Sequence, residues 1–322
     1  MSDRMRMGYY PSHLTSFRSL PVHTFVPAGD ARPAPRPAAD SAAWRLAADW
    51  DTPFERVWRG FLDEVRTEDV VAVVVGPWWT EWDEDGIDPV LELLAAEAHR
   101  FPRLRALFLA DVESEESEIS WIKQGTVTRV LRAWPELEEL GIRGADDLVV
   151  EPLRHDALRT LRIESGGLAP DPVRALGGCE FPALRRLELW LGTTWYGGDC
   201  EVADVESLLA ALGRCPDLRH LGLQNSDIQD GIAAAVSAAP VVAGLRSLDL
   251  SMGALGDEGG AALLSGQPLT HLSSLSLRHH FMTGELVGRL RESLEPHGTD
   301  LDLTPATRRS RGVEGRYVAV GE

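Results

Sequence analysis

The chain has 322 residues, of which 44% are hydrophobic and 25% are charged, a composition that excludes an intrinsically disordered protein. Its formal net charge of -18 at pH 7 repels phosphate groups, so neither nucleic acid nor an anionic membrane surface is an expected partner. No apolar run approaches the roughly 20 residues that a membrane-spanning helix needs.

The first 40 residues are predicted to form an arm and a linker. Their start does not open into the apolar stretch of a secretory signal peptide. The segment 13–25 has enough apolar residues to dock on another part of the protein, whereas 27–40 is rich in Pro and Ala and packs poorly. Residues 41–66 predict a strand and a helix that cap an open-ended stack of repeats. We therefore divide the chain into an arm with its linker (1–40), a capped repeat domain (41–304) and a C-terminal tail (305–322).

The pattern Leu-x-x-Leu-x-Leu recurs along the repeat domain. Its seven clear copies begin at Leu104, Leu137, Leu158, Leu184, Leu218, Leu245 and Leu272. An apolar residue followed by proline precedes several copies, and this pair ends one helix and turns the chain into the next strand. Cys215 stands in that apolar column, so we interpret it as a core residue and not as a reactive thiol. The other cysteines are Cys179 and Cys200, and an odd, scattered set does not indicate a disulfide framework.

The segments between these copies predict helices. Apolar residues recur at three- and four-residue spacing in 88–101, 203–214, 228–239 and 284–295. One strand and one helix cannot bury their own apolar faces, so successive units must stack. The predicted fold class is an α/β solenoid with a parallel, concave β-sheet and with helices on the convex side.

The repeats resemble those of leucine-rich repeat proteins of the ribonuclease-inhibitor-like type. The stretch "LRSLDLSMGALGDEGGAALL" from Leu245 is similar to the pattern LxxLxLxxN followed by xLxDxGAxxLA, and "LRHLGLQNSDIQDGIAAAV" from Leu218 is nearly as similar. The resemblance covers roughly residues 66–304 and implies a horseshoe. More narrowly, the chain resembles a bacterial, actinobacterial-like leucine-rich repeat family, a resemblance that implies a fold and no activity. The usual Asn or Cys is missing from the ninth repeat position, so we expect irregular loops.

Alternation along each strand predicts which side chains face away from the helices, on what we call the inner face. Positions three, five and seven of the repeat lie there. The predicted contact residues of this face are Arg162, Glu164, Arg186, Glu188, Trp190, His220, Gln224, Asp249 and Arg278. Large rings and arginines are typical of binding hot spots. As an alternative, Trp190 folds over Trp195 and Tyr196 and closes its own loop. The first two strands carry apolar residues on this face, which we expect the arm to cover.

The loops that follow the strands form a second surface, which we call the rim. Loops 76–88, 110–121 and 191–204 combine aromatic rings with many acids, and they add Trp79, Trp82, Trp195 and Tyr196 to the predicted contacts. Such a surface suits a basic or amphipathic protein or peptide. Some of these acids are equally expected at helix N-termini.

Motifs for cofactor, metal or nucleophilic chemistry were not found. We therefore expect a monomeric, cytoplasmic, non-enzymatic module that needs no cofactor and no metal and binds a protein or peptide. Two alternatives stay open: a substrate-presenting subunit of a modifying enzyme, and a metal-dependent or hydrolase-type enzyme with a pocket at Trp190, His220, Asp249 and His279. The tail is expected to be disordered or, alternatively, to dock on a sheet edge through Tyr317 and Val318.

Overall fold

Residues 11–28, 36–80, 86–307 and 315–321 are described by the computed structural model. Within them the chain forms one sheet of twelve strands whose spatial order is their order in the sequence. The strands are β1 (Ser16–Phe17), β2 (Leu20–Thr24), β3 (Ala43–Leu46), β4 (Ala72–Val75), β5 (Ala106–Leu109), β6 (Glu139–Arg143), β7 (Thr160–Glu164), β8 (Arg186–Gly192), β9 (His220–Ser226), β10 (Ser247–Asp249), β11 (Ser274–Ser276) and β12 (Asp300–Asp302). Only β1 and β2 pair antiparallel, and the sheet does not close on itself. The predicted α/β solenoid is confirmed.

Helices connect the strands on one side of the sheet. They are α1 (Phe54–Glu64), α2 (Asp88–Ala96), α3 (Thr128–Ala133), α4 (Pro170–Gly178), α5 (Val202–Leu212), α6 (Gln229–Ala238), α7 (Asp257–Ser265) and α8 (Gly284–Leu294). The described connection from β6 to β7 contains no helix, because this repeat is the shortest. Isolated bridges such as Thr126 to Val149 pair this connection with the preceding one. Among the residues that the structure describes, no helix combines the length and the apolar composition needed to cross a membrane.

The leucines of the repeat form the core between sheet and helices. Parallel pairing in one register stacks each leucine on the same leucine of the next strand. One such column consists of Leu161, Leu187, Leu221, Leu248 and Leu275. Every member is at most 3% exposed. A unit buries this column only against its neighbours, which is why the repeats stack.

Aromatic rings close the N-terminal end of the core. The Trp58 ring stacks on Phe101 at 5.4 Å between centroids, and Phe61 packs against Phe25 at 5.3 Å. Trp44 and Phe61 are essentially inaccessible to solvent. Helix α1 supplies two of these rings, so residues 41–66 cover the open end of the leucine column as a cap would.

The arm covers the apolar part of the inner face. Strand β2 pairs in parallel with β3, so β1 and β2 extend the sheet by two strands. Phe17 lies on the inner face, edge-on to Phe108 at 5.9 Å, and both rings are buried. The Phe108 ring in turn lies over Gly141, where a Cβ atom would collide with it, so β6 needs a glycine there. The expectation that this end of the inner face is covered is therefore met by residues of the arm.

Candidate functional site

Charged side chains of the inner face pair with one another across neighbouring strands. The Arg143 guanidinium lies 2.7 Å from the Glu164 carboxylate, which is also 2.5 Å from Arg162. Arg162 continues the line to Glu188 on β8 at 3.5 Å. Of the predicted contact residues, the structure thus brings these arginines and glutamates together in one alternating row. Their charges are largely satisfied within the protein.

The row begins beneath the arm at Asp111, whose side chain is fully buried. Arg45 Nε donates a hydrogen bond to Asp111 Oδ2 at 2.8 Å, and Arg143 Nη1 lies 3.7 Å from Oδ1. The backbone N–H of Leu14 donates to the same carboxylate at 2.9 Å. An arm residue therefore helps to satisfy a buried charge of the sheet. Alternation placed Arg143 on the inner face without selecting it as a contact residue, and sequence reasoning missed Asp111, because partners so distant in the chain leave no local pattern.

Glu188 contacts three basic side chains of the inner face, Arg162, Arg186 and His220. Burial raises its pKa, but the hydrogen bond from His220 and the charges of Arg162 and Arg186 outweigh burial and hold the pKa at about 2. Asp249 behaves oppositely: burial raises its pKa, and the nearby charge of Glu188 adds to that increase. The two neighbouring acids therefore have opposite pKa shifts.

Three polar side chains from adjacent strands lie in one line. Glu188 Oε1 is 3.0 Å from His220 Nε2, and His220 Nδ1 is 2.6 Å from Ser247 Oγ. A carboxylate only accepts, so Nε2 is the nitrogen that carries the proton in this close contact, although its N–H is not aligned with Oε1 as a full hydrogen bond requires. In the neutral ring, Nδ1 then accepts the hydrogen bond from the Ser247 hydroxyl. This is the arrangement of an acid, a histidine and a serine hydroxyl that nucleophilic catalysis uses.

Trp190 points to the inner face, as strand alternation predicts, but it is not the exposed ring that we expected. Its side chain is 7% exposed, because Ile119, Met252 and Val320 pack against it. Trp195, which the alternative packs under Trp190 together with Tyr196, is 89% exposed. Val320 belongs to the C-terminal tail, so a segment distant in sequence buries this ring.

Residues Tyr317–Gly321, which we call the tail segment, lie over the ends of the strands. Ala319 N donates to Met252 O at 2.7 Å, and Val320 exchanges two hydrogen bonds with the Asn225 side chain. This segment forms no further strand of the sheet, and residues 308–314 and 322 of the predicted tail lie outside the described residues. Asn225 and Met252 were not predicted as contact residues. Both stand at the eighth position of their repeats, which the alternation of strand residues does not assign to the inner face.

Two further predicted residues of the inner face, Gln224 and Arg278, are fully and partly buried. Gln224 is buried and donates from Nε2 to Ser251 Oγ at 3.3 Å. Arg278 is half-buried and lies 3.8 Å from Asp302. His279 contacts the tail segment at Tyr317 O, and the pocket predicted from Trp190, His220, Asp249 and His279 stays a prediction. In the described ranges, no group of three or more His, Cys, Asp and Glu side chains is arranged to hold a metal ion.

Exposed aromatic rings lie on the rim. Trp195 is 89% exposed and Trp121 is 69% exposed, whereas Tyr196 and Trp79 are half-buried. Trp79 packs edge-on against Trp78 at 4.8 Å, and Trp82 lies outside the described residues. The tail segment lies next to the chain neighbours of both exposed rings, because Gly321 O accepts from Ser120 Oγ at 2.5 Å and Gly321 lies beside the Tyr196 ring. Acidic residues surround them, and the exposed ones include Glu115, Glu118, Asp199 and Glu201.

Comparison with known proteins gives a structural neighbour and no family. The chain is similar to the crystal structure of a Bacteroides fragilis protein that was a structural genomics target. Their identity is 25% and the TM-score is 0.72, over 82% of this chain and 76% of the other. No protein-family model and no curated protein matches the sequence. The neighbour supports the repeat solenoid, and its name carries no activity.

Proposed function

We propose that this chain is a protein-binding module of the leucine-rich repeat type that acts in the cytoplasm and contacts its partner through the rim. The observation that carries the proposal is the exposure of Trp121 and Trp195, whose chain neighbours Ser120 and Tyr196 both lie next to Gly321 of the tail segment. Exposed rings of this size are costly to leave in water, and an aromatic residue is a favoured anchor at an interface.

Two further features support the rim over the inner face. The inner face has already paired most of its charges, and its rings Phe17, Phe108 and Trp190 are buried. The rim keeps exposed acids such as Glu115 and Glu118, and the whole chain carries a net charge of -18. A basic, amphipathic partner would be attracted by these charges and held by the rings.

A selection from displayed random peptides tests this proposal and does not require the partner to be identified first. Wild-type protein should enrich peptides that combine Lys or Arg with apolar residues. The double variant Trp121→Ala/Trp195→Ala should weaken the selected peptides at least tenfold, and so should Glu115→Lys/Glu118→Lys. The control Glu206→Lys/Glu292→Lys makes the same charge change on exposed helix positions and should leave affinity nearly unchanged. Equal affinity for wild type and the tryptophan variant would overturn the rim as the site.

The line of Glu188, His220 and Ser247 favours a second candidate function, a hydrolase-type activity that needs no metal. His220 is placed to take the proton as Ser247 Oγ attacks an electrophile, and Glu188 stabilises the charged ring that results. A fluorophosphonate probe tests this, because Oγ would form a bond to phosphorus while fluoride leaves. Labelling should occur at Ser247 and disappear in His220→Asn. Ser274, the register partner of Ser247 on β11, is the internal control that should stay unlabelled. An unlabelled wild-type protein would remove this candidate.

A further inference from the structure

The tail segment is held mainly through its backbone. His279 Nε2 donates to Tyr317 O at 3.0 Å, and Met252 O accepts from Ala319 N at 2.7 Å. The Asn225 side-chain amide clamps Val320 on both sides, accepting from its N–H at 2.9 Å and donating to its carbonyl at 2.6 Å. Hydrogen bonds of this kind recognise an extended peptide regardless of its side chains.

Two side chains of the segment add specificity. Val320 is fully buried and packs against Ile119, Trp190 and Met252. Three residues earlier, the Tyr317 ring lies edge-on to His279 at 5.1 Å and to Phe281 at 5.2 Å. The groove therefore takes an aromatic ring at one position and a β-branched apolar side chain three residues later. Its lining near Val320 is uncharged, so a charged residue there would be buried without a partner.

The three residues that grip the segment share a rare backbone conformation. Asn225, Met252 and His279 stand at the eighth position of three consecutive repeats and have φ of 57°, 71° and 64°. Side chains other than glycine pay a steric penalty in this left-handed region, and such strain concentrates where it serves a function. At the same position of an earlier repeat, away from these contacts, the residue is Gly144 with φ of 83°. Ala110 and Asp147 also have positive φ, so this conformation is not confined to the groove; the segment binds where three consecutive repeats share it.

We propose that this groove is a peptide-binding site that the tail segment occupies in cis. Its ligand in trans is an extended stretch of a partner protein with an arginine, an aromatic residue directly after it, a β-branched residue three positions after the aromatic one and then a glycine. The arginine corresponds to Arg316, which pairs with Asp230. The groove is distinct from Trp121 and Trp195, so either proposal can fail alone. A tethered ligand has an effective concentration on the order of millimolar, and the segment therefore excludes the partner until it is released.

The test uses the full chain and a fluorescein-labelled peptide of sequence RYVAVG. Wild-type protein should bind it weakly, because the tail segment competes. In Val320→Asp the segment cannot enter its apolar pocket, and the peptide should bind at least tenfold more tightly. Adding Asn225→Ala should abolish the gain, and the control peptide RYVADG should bind neither protein. Hydrogen exchange of residues 315–321 reports the release of the segment directly.

A second release variant protects the test against misfolding. Ala319→Pro removes the N–H that Met252 accepts and leaves the buried valine unchanged. If both variants release the segment, unfold at temperatures close to wild type and still do not bind RYVAVG, the proposal is overturned. A stable wild-type dimer that disappears in Val320→Asp would also overturn it, because the groove would then serve exchange between two copies.

Discussion

Arg143 Nε lies 2.7 Å from Glu164 Oε2, and both side chains are almost completely buried on the inner face. Arg143 also donates to Val112 O at 2.7 Å and to Ser12 O at 3.2 Å, so one guanidinium joins the arm, a rim loop and the sheet. Each partner depends on the other, because a buried charge without its counter-charge is costly.

Replacing one member of this pair should destabilise the protein strongly. We expect Arg143→Met to lower the free energy of unfolding by about 3–5 kcal/mol, and Arg143→Met/Glu164→Leu to cost less than the two single changes together. Arg154 and Glu180 form an exposed pair at 2.9 Å, so Arg154→Met should change stability far less than Arg143→Met. Urea unfolding of wild type and these variants measures this. Additive single costs would show that the pair is not coupled.

Trp190, in strand β8, and Trp195, in the loop that follows it, should differ in their contribution to folding. Trp190→Ala should lower the free energy of unfolding by about 3–5 kcal/mol, because the ring fills the space among Ile119, Met252 and Val320. Trp195→Ala removes an 89% exposed ring and should stay within about 0.5 kcal/mol of wild type. Thermal and urea unfolding compare the two. A large cost at Trp195 would mean that this ring packs in solution.

Glu188 should make stability depend on pH in the acid range. Its folded pKa of about 2 lies below the ordinary value of 4.5, so its contribution is complete above pH 4.5 and is lost as the pH falls toward 2. The difference in pKa corresponds to roughly 3 kcal/mol at neutral pH. Glu188→Gln should therefore be least stable relative to wild type near neutrality, and the gap should close on acidification. The control Glu92→Gln, at a mostly exposed acid, should show no such convergence.

The three thiols should react slowly in the native protein. Burial raises the pKa of all three, and burial together with the charge of Asp204 raises the pKa of Cys200 to about 12. Cys215 packs against the core, as its place in the apolar column predicts. Because the thiolate is the reactive form, alkylation near pH 8 should be slow until denaturant is added. Rapid native labelling of Cys200 would contradict its burial.

Much of the fold follows from local periodicity. Leu184, Leu187 and Leu189 predict a strand with one buried face, and the same spacing in neighbouring repeats requires parallel pairing in register. Alternation also placed Arg162, Glu188 and Trp190 on the correct face. These conclusions need only a residue and its near neighbours in the chain, which is the information that a repeat carries.

Contacts between segments distant in the chain determine which residues of the candidate site are buried and which charges are paired. Trp190 is buried because Val320 reaches it from the tail, and Asp111 is satisfied because Leu14 reaches it from the arm. Neither terminal segment carries the repeat, so no periodicity links it to its partners. Repeat spacing was therefore enough to predict the solenoid and the face on which each strand residue lies. Packing of the arm and the tail against the repeats determines which of those residues are paired, which are covered and which, like Trp195, stay exposed to a partner.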